Sequence, residues 1–165
     1  MLALWRCFPS LTQKADPLAS SALQPGDLVG VQESKGNQLA VVESLQGSKA
    51  RLKLGFDRKS VVLPQRQLDL ICPLPSGADL PDGLGASPWH LKAEQLDLSR
   101  LDRRSWGAAW VLLLESGETV EIDFFSDLVC GGTNPSQLAL CWLALMGPQL
   151  WFRYKQDQIK ARSAV

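Results

Sequence analysis

The chain has 165 residues, 45% of them hydrophobic and 21% charged, which is enough apolar mass for one compact domain or two small ones. Lys and Arg number 17 and so do Asp and Glu; the resulting formal net charge of zero excludes a globally basic nucleic-acid binder and confines any electrostatic footprint to local patches. The four cysteines (Cys7, Cys72, Cys130, Cys141) include no Cys-x-x-Cys pair and His90 is the single histidine, so a four-ligand zinc site is not expected.

Those cysteines read as reduced, partly buried thiols of a cytoplasmic protein, with disulfides left open. No apolar run approaches the ~20 residues a membrane span needs, so no membrane partner is expected. The motifs of P-loops, dinucleotide-binding folds and nucleophile elbows do not occur, and no cofactor or metal is expected.

In chain order, residues 1–24 read as a flexible leader. They contain serine and few acids, as transit peptides do, but lack the order of a signal peptide. Pro25-Gly26 then makes a turn. Five short β-rich runs follow over residues 25–71: "DLVGVQE", "QLAVVESL", "ARLKL", "SVVL" and "LDLI". Turn-forming stretches separate them, and Arg51-Leu52-Lys53-Leu54 alternates cleanly between basic and apolar residues. Five such strands cannot bury themselves as a flat sheet, so a small closed or half-closed barrel of the SH3-like kind is expected. Residues 72–88 carry four prolines and three glycines and read as a linker.

Residues 89–165 change period. Ser87-Pro88 reads as a cap and first-turn proline, with Leu91, Gln95 and Leu98 at helical spacing behind it. Trp106, Ala109, Trp110 and Leu113 form a second helical stripe that Gly117 can end. "ETVEIDFF" is balanced on local signals. It alternates as a strand at Val120, Ile122 and Phe124, yet Thr119 could cap a helix burying Ile122, Phe125, Leu128 and Val129. Asn134-Pro135-Ser136-Gln137 is a capping-box variant that starts a helix running to Gly147. Two strands joined at Asp157 end the chain. Three helices and a two-stranded ribbon make a winged helix, so the fold class is α+β: an N-terminal SH3-like small β-barrel followed by a winged-helix domain.

"GGTNP" at 131–135 raises the thought of a DNA-reading helix-turn-helix. The helix behind it, "SQLALCWLALM", has no charge and only Gln137 as a long polar side chain. Base readout needs Arg, Lys, Asn or Gln on an accessible face, so the turn reads as architectural.

With "PGDLV", "QLAVVE" and "LPQRQLDLI" in the first half and "SWGAAWVLLLESGETVEIDFFSDLVCGGTNP…LWFRYKQ" in the second, the order of segments resembles the N-terminal accessory region of ribonuclease II-family exoribonucleases, of the cyanobacterial and plastid type. The resemblance covers about residues 24–163 and tips "ETVEIDFF" toward helix. It implies an RNA-facing region. No catalytic residue is carried over, because the clustered aspartates of that family's catalytic domain have no counterpart here.

The chemistry-bearing candidates are therefore local basic groups. Residues 49–66 hold Lys49, Arg51, Lys53, Arg58, Lys59 and Arg66 against Asp57 alone, a local charge of +5, with Phe56 available to stack on a base. Arg153, Lys155, Lys160 and Arg162, against Asp157, put +3 on the ribbon. Arg100, Arg103 and Arg104 form a third group at a helix start, where cations oppose the helix dipole. Each group is equally consistent with a solvated face. Trp106 and Trp110 read as core, whereas Trp89, next to the proline-rich stretch, reads as the most exposed tryptophan. His90 lacks an identifiable catalytic partner. The expectation is a non-catalytic RNA-binding protein that grips the phosphate backbone. The alternative is a protein–protein module docking on a nuclease or ribosomal complex.

Overall fold

The computed structural model describes residues 22–33 and 36–163. Nearly all of the expected leader lies outside them, apart from its last three positions; of these, Leu23 is buried and Gln24 donates its backbone N–H to Asp27 (2.8 Å). The architecture is α+β: a five-stranded antiparallel sheet, three α-helices and a two-stranded ribbon.

All five expected strands form: β1 (Leu28–Val31), β2 (Gln38–Gln46), β3 (Lys49–Leu54), β4 (Lys59–Pro64) and β5 (Leu68–Cys72). They are ordered β4-β3-β2-β1-β5, with a 3-10 turn at Gln65–Gln67 between β4 and β5. The two outermost strands share no ladder, so the sheet stays open and does not close into a barrel. Residues alternate between its faces, and each face meets a different core. Val29, Val31, Ala40, Val42, Ala50, Leu52, Leu54 and Leu68 pack with one another and with Leu23, so the sheet curls over its own side chains. Leu28, Leu39, Val41 and Ile71 point the other way, into a core built with the helices. This explains why all of β1 is buried.

The helices are α1 (Arg103–Ser116), α2 (Ile122–Cys130) and α3 (Pro135–Met146). Gly117 and Gly131 end the first two in the left-handed conformation, which glycine adopts at least cost. "ETVEIDFF" resolves as both of its readings. Val120 bridges to Ile159 as a strand residue, and the helix begins at Ile122. The N-cap is Glu121, not Thr119, because the bridge holds residues 118–120 extended. Asn134 and Gln137 form the expected reciprocal cap of α3. That helix is buried almost all round, through Leu138, Ala139, Leu140, Cys141, Trp142, Ala144 and Leu145, and has no face to offer a DNA groove. The ribbon is β6 (Phe152–Lys155) with β7 (Gln158–Ala161).

Two expectations fail between residues 87 and 100. No α-helix follows Pro88. Two 3-10 turns occupy Ala93–Leu96 and Leu98–Arg100, and Leu98 is exposed. Asp97 and Asp102 are the cause. Each accepts a hydrogen bond from a backbone N–H two residues on, from Ser99 and Arg104, and so restarts the chain where a helix would continue. Trp89 is buried, at 4% exposure, with its indole N–H donating to the Gly26 carbonyl at 3.1 Å. It anchors the chain beneath the first turn of the sheet.

The halves meet through Trp142. Its ring lies so close over β1 that a Cβ on Gly30 would sit 2.3 Å from it. Its indole N–H donates to Asp69 at 3.0 Å, and Gln32 donates to the same carboxylate oxygen at 2.7 Å. Asn37 also donates to the carbonyl of Met146 at 3.0 Å. Asp27 is buried and accepts backbone N–H groups from Gln24 and Leu74, both at 2.8 Å, which fastens the Pro25-Gly26 turn to the segment after β5.

Candidate nucleic-acid interface

The first basic group is built on β3. Ala50, Leu52 and Leu54 point into the curled core, so Lys49, Arg51 and Lys53 point outward by strand alternation. Phe56, Asp57 and Arg58 form the turn into β4. Phe56 is 43% exposed, and Arg58 adopts φ +58. Lys59 opens β4 opposite Leu54, and Arg66 is exposed in the 3-10 turn.

This group is less positive than its sequence suggests. Asp82, from the proline-rich stretch, takes Lys53 on one carboxylate oxygen and Arg58 on the other, both at 2.7 Å. Those partners, Lys53 first, hold the Asp82 carboxyl below its usual range. Glu43 is exposed at the β2 bulge, next to Ser44, which stands opposite Arg51. The group that reads as +5 along the chain is therefore partly neutralised by residues distant in sequence.

The second group is arranged differently. Phe152, Ile159 and Ala161 are buried on one face of the ribbon. Arg153, Lys155, Lys160 and Arg162 all stand exposed on the other, and Arg153 lies directly opposite Lys160. Among the described residues both ion pairs belong to Asp82, so none involves these four cations. Trp151 continues the outward face. It is 46% exposed and meets Trp110 edge to face at 5.1 Å. The Trp110 indole N–H donates to the Arg162 carbonyl at 2.9 Å, and the Trp151 carbonyl accepts the Arg162 N–H at 2.8 Å. Leu114 of α1 joins Arg153, Lys160 and Arg162 around a groove of about 520 Å3. Beneath the ribbon, Trp106, Phe125 and Phe152 pack edge to face with centroids 4.8–5.5 Å apart, which makes it a stiff platform.

The two groups do not converge. Tyr154 and Asp157 of the ribbon line a cleft with Leu70 and Cys72 of β5, at one end of the sheet order. β3 lies three strands further along, roughly 14 Å at ordinary strand spacing. No described contact joins them. The third group is spent on helix starts: Asp102 caps α1 between Arg100 and Arg104, accepting the Arg104 N–H and the Ser105 hydroxyl.

Trp151 and Asp82 are the residues that sequence reasoning passed over. Trp151 shares the two-residue spacing of Arg153 and Lys155, a signal that was present in the sequence. Nothing local marks Asp82, whose partners lie 24 and 29 residues away. His90 is exposed. Among the described residues no group of three or more His, Cys, Asp or Glu could hold a metal ion, and no helix is long and apolar enough to cross a membrane.

No protein-family model matches this chain, and no curated protein or solved structure matches it significantly.

Proposed function

We propose that the chain is a non-catalytic RNA-binding module that grips the phosphate backbone through the outward face of its ribbon. The observation that carries this is the set Arg153, Lys155, Lys160 and Arg162, exposed together without described ion pairs and edged by the half-exposed Trp151. Cations held on a rigid β-surface can neutralise successive phosphates, and an adjacent indole offers a face to a base. The β3 group is the weaker contact, because Asp82 occupies two of its cations.

The finer architecture belongs to the same reading. Strand order β4-β3-β2-β1-β5 with a 3-10 turn before β5 supports an SH3-like half-barrel, although its outer strands are not bonded to each other. Three helices followed by a ribbon, with Val120 bridging Ile159 as a third strand, support a winged helix. Both parts agree with the resemblance to the accessory region of ribonuclease II-family enzymes, which rests on segment order alone.

The test is filter binding of single-stranded RNA across a salt series. Four neutralised phosphates give a slope of log affinity against log salt of about −2.8, at about −0.7 per contact. Arg153→Glu with Lys160→Glu should abolish binding at moderate salt, and Lys53→Glu should weaken it much less. Absence of binding at low salt rejects the proposal. A second reading has its own observation: Val111, Leu112 and Leu114 of α1 are exposed, as is Leu150 beside the ribbon, and such apolar positions suit a protein partner in RNA processing. Binding of a protein partner that survives the ribbon charge reversals would favour it.

A further inference from the structure

The turn between α2 and α3 brings two sulfurs together. Cys130 is the last residue of α2, Cys141 lies in the middle of α3, and their Sγ atoms are 3.5 Å apart. The turn that sets this distance is braced from both sides. The Ser126 hydroxyl donates to the Gly132 carbonyl at 2.7 Å, Gln137 donates to the Cys130 carbonyl at 3.3 Å, and the Asn134 cap holds the start of α3.

The two sulfurs differ in access. Cys130 is half-buried and lines a cleft of about 560 Å3 with Gln95, Arg100, Asn134 and Gln137. Cys141 is fully buried, so a reagent reaches it only by way of Cys130. The cleft volume is in the range that takes a small organic molecule.

We propose that Cys130 and Cys141 form a reversible dithiol–disulfide pair, with Cys130 meeting an oxidised low-molecular-weight disulfide in the cleft and Cys141 resolving the adduct. The Cys130 thiolate attacks one sulfur of that disulfide, forming a mixed disulfide and releasing one thiolate. Cys141 then loses its proton and attacks the Cys130 sulfur, expelling the second thiolate. The protein loses two hydrogens and two electrons, and the small disulfide becomes two thiols. The sulfurs must close from 3.5 Å to about 2.05 Å, a movement within reach of side-chain rotation and a slight shift of the turn. The hydrogen bond between the thiols favours the same division of labour. Donation from Cys141 brings the Cys130 thiol down to about 7, with Ser126 assisting, and the same bond together with burial pushes Cys141 up.

The test uses the full chain with Cys7→Ser and Cys72→Ser, which leaves this pair alone. After incubation with oxidised glutathione, acid quench and alkylation, intact mass should show loss of two hydrogens, no alkyl groups and no glutathione, and dithiothreitol should restore two alkylatable thiols. Adding Cys141→Ala should halt the reaction at one glutathione adduct on Cys130. Adding Cys130→Ser should leave Cys141 unreactive until the protein is unfolded. Circular dichroism establishes that each variant is folded. The proposal is overturned if the intact pair stops at a mixed disulfide, if both thiols stay alkylatable, or if the disulfide forms between chains.

Discussion

At the scale of single residues, Asp27 shows what a buried carboxylate costs and supplies. Burial raises its pKa above 3.8, and the N–H groups of Leu74 and Gln24 oppose that rise without cancelling it. The folded state therefore binds more protons than the unfolded one in the pH window above 3.8. Stability gained from this group is present below that window and is lost as pH rises through the folded pKa. Replacing Asp27 by Asn removes the titration and points amide hydrogens at a backbone donor, an offset of about 1–3 kcal/mol. Urea unfolding of both proteins from pH 3.5 to 7 should show the wild type's advantage over Asp27→Asn shrinking as pH rises through the window, then levelling. An advantage that grows with pH would mean that the backbone donors outweigh burial.

Among the elements, α3 depends most on a cap, because it holds no charged side chain to interact with its dipole and is surrounded by packing. Asn134 satisfies the N–H of Gln137, and Gln137 satisfies that of Asn134. Asn134→Ala should destabilise the protein by about 1 kcal/mol, read as a lower urea midpoint with an unchanged slope. This cap was legible in the sequence, as were the five strands and the ribbon, because each rests on signals within a few residues. The stretch 89–100 was not, since spacing alone cannot show that Asp97 and Asp102 would divide it. "ETVEIDFF" was evenly balanced because both readings are true of it. At the candidate site, strand alternation revealed which cations face outward. It could not reveal that Asp82 would cross to Lys53 and Arg58, nor that the ribbon cations would lack such a partner.

For the whole molecule, the decisive contact is Trp142 against Gly30, which makes one core of sheet and helices. Unfolding should therefore be a single transition, with tryptophan fluorescence and far-UV circular dichroism giving the same midpoint. Gly30→Ala should shift both midpoints together by 1–3 kcal/mol or more in stability, since its methyl group would meet the ring. Two separated transitions would mean that the halves fold independently.

The link from Asn37 to Met146 spans 109 residues, and it joins the same surfaces as Trp142. On a ribosome, the outer side of the sheet would be synthesised long before the helix that covers it. Leu28, Leu39, Val41 and Ile71 would wait in water until then, a greasy face open to chaperones and to other nascent chains. Assembly limited by so distant a partner is slow by topology, whatever the final stability.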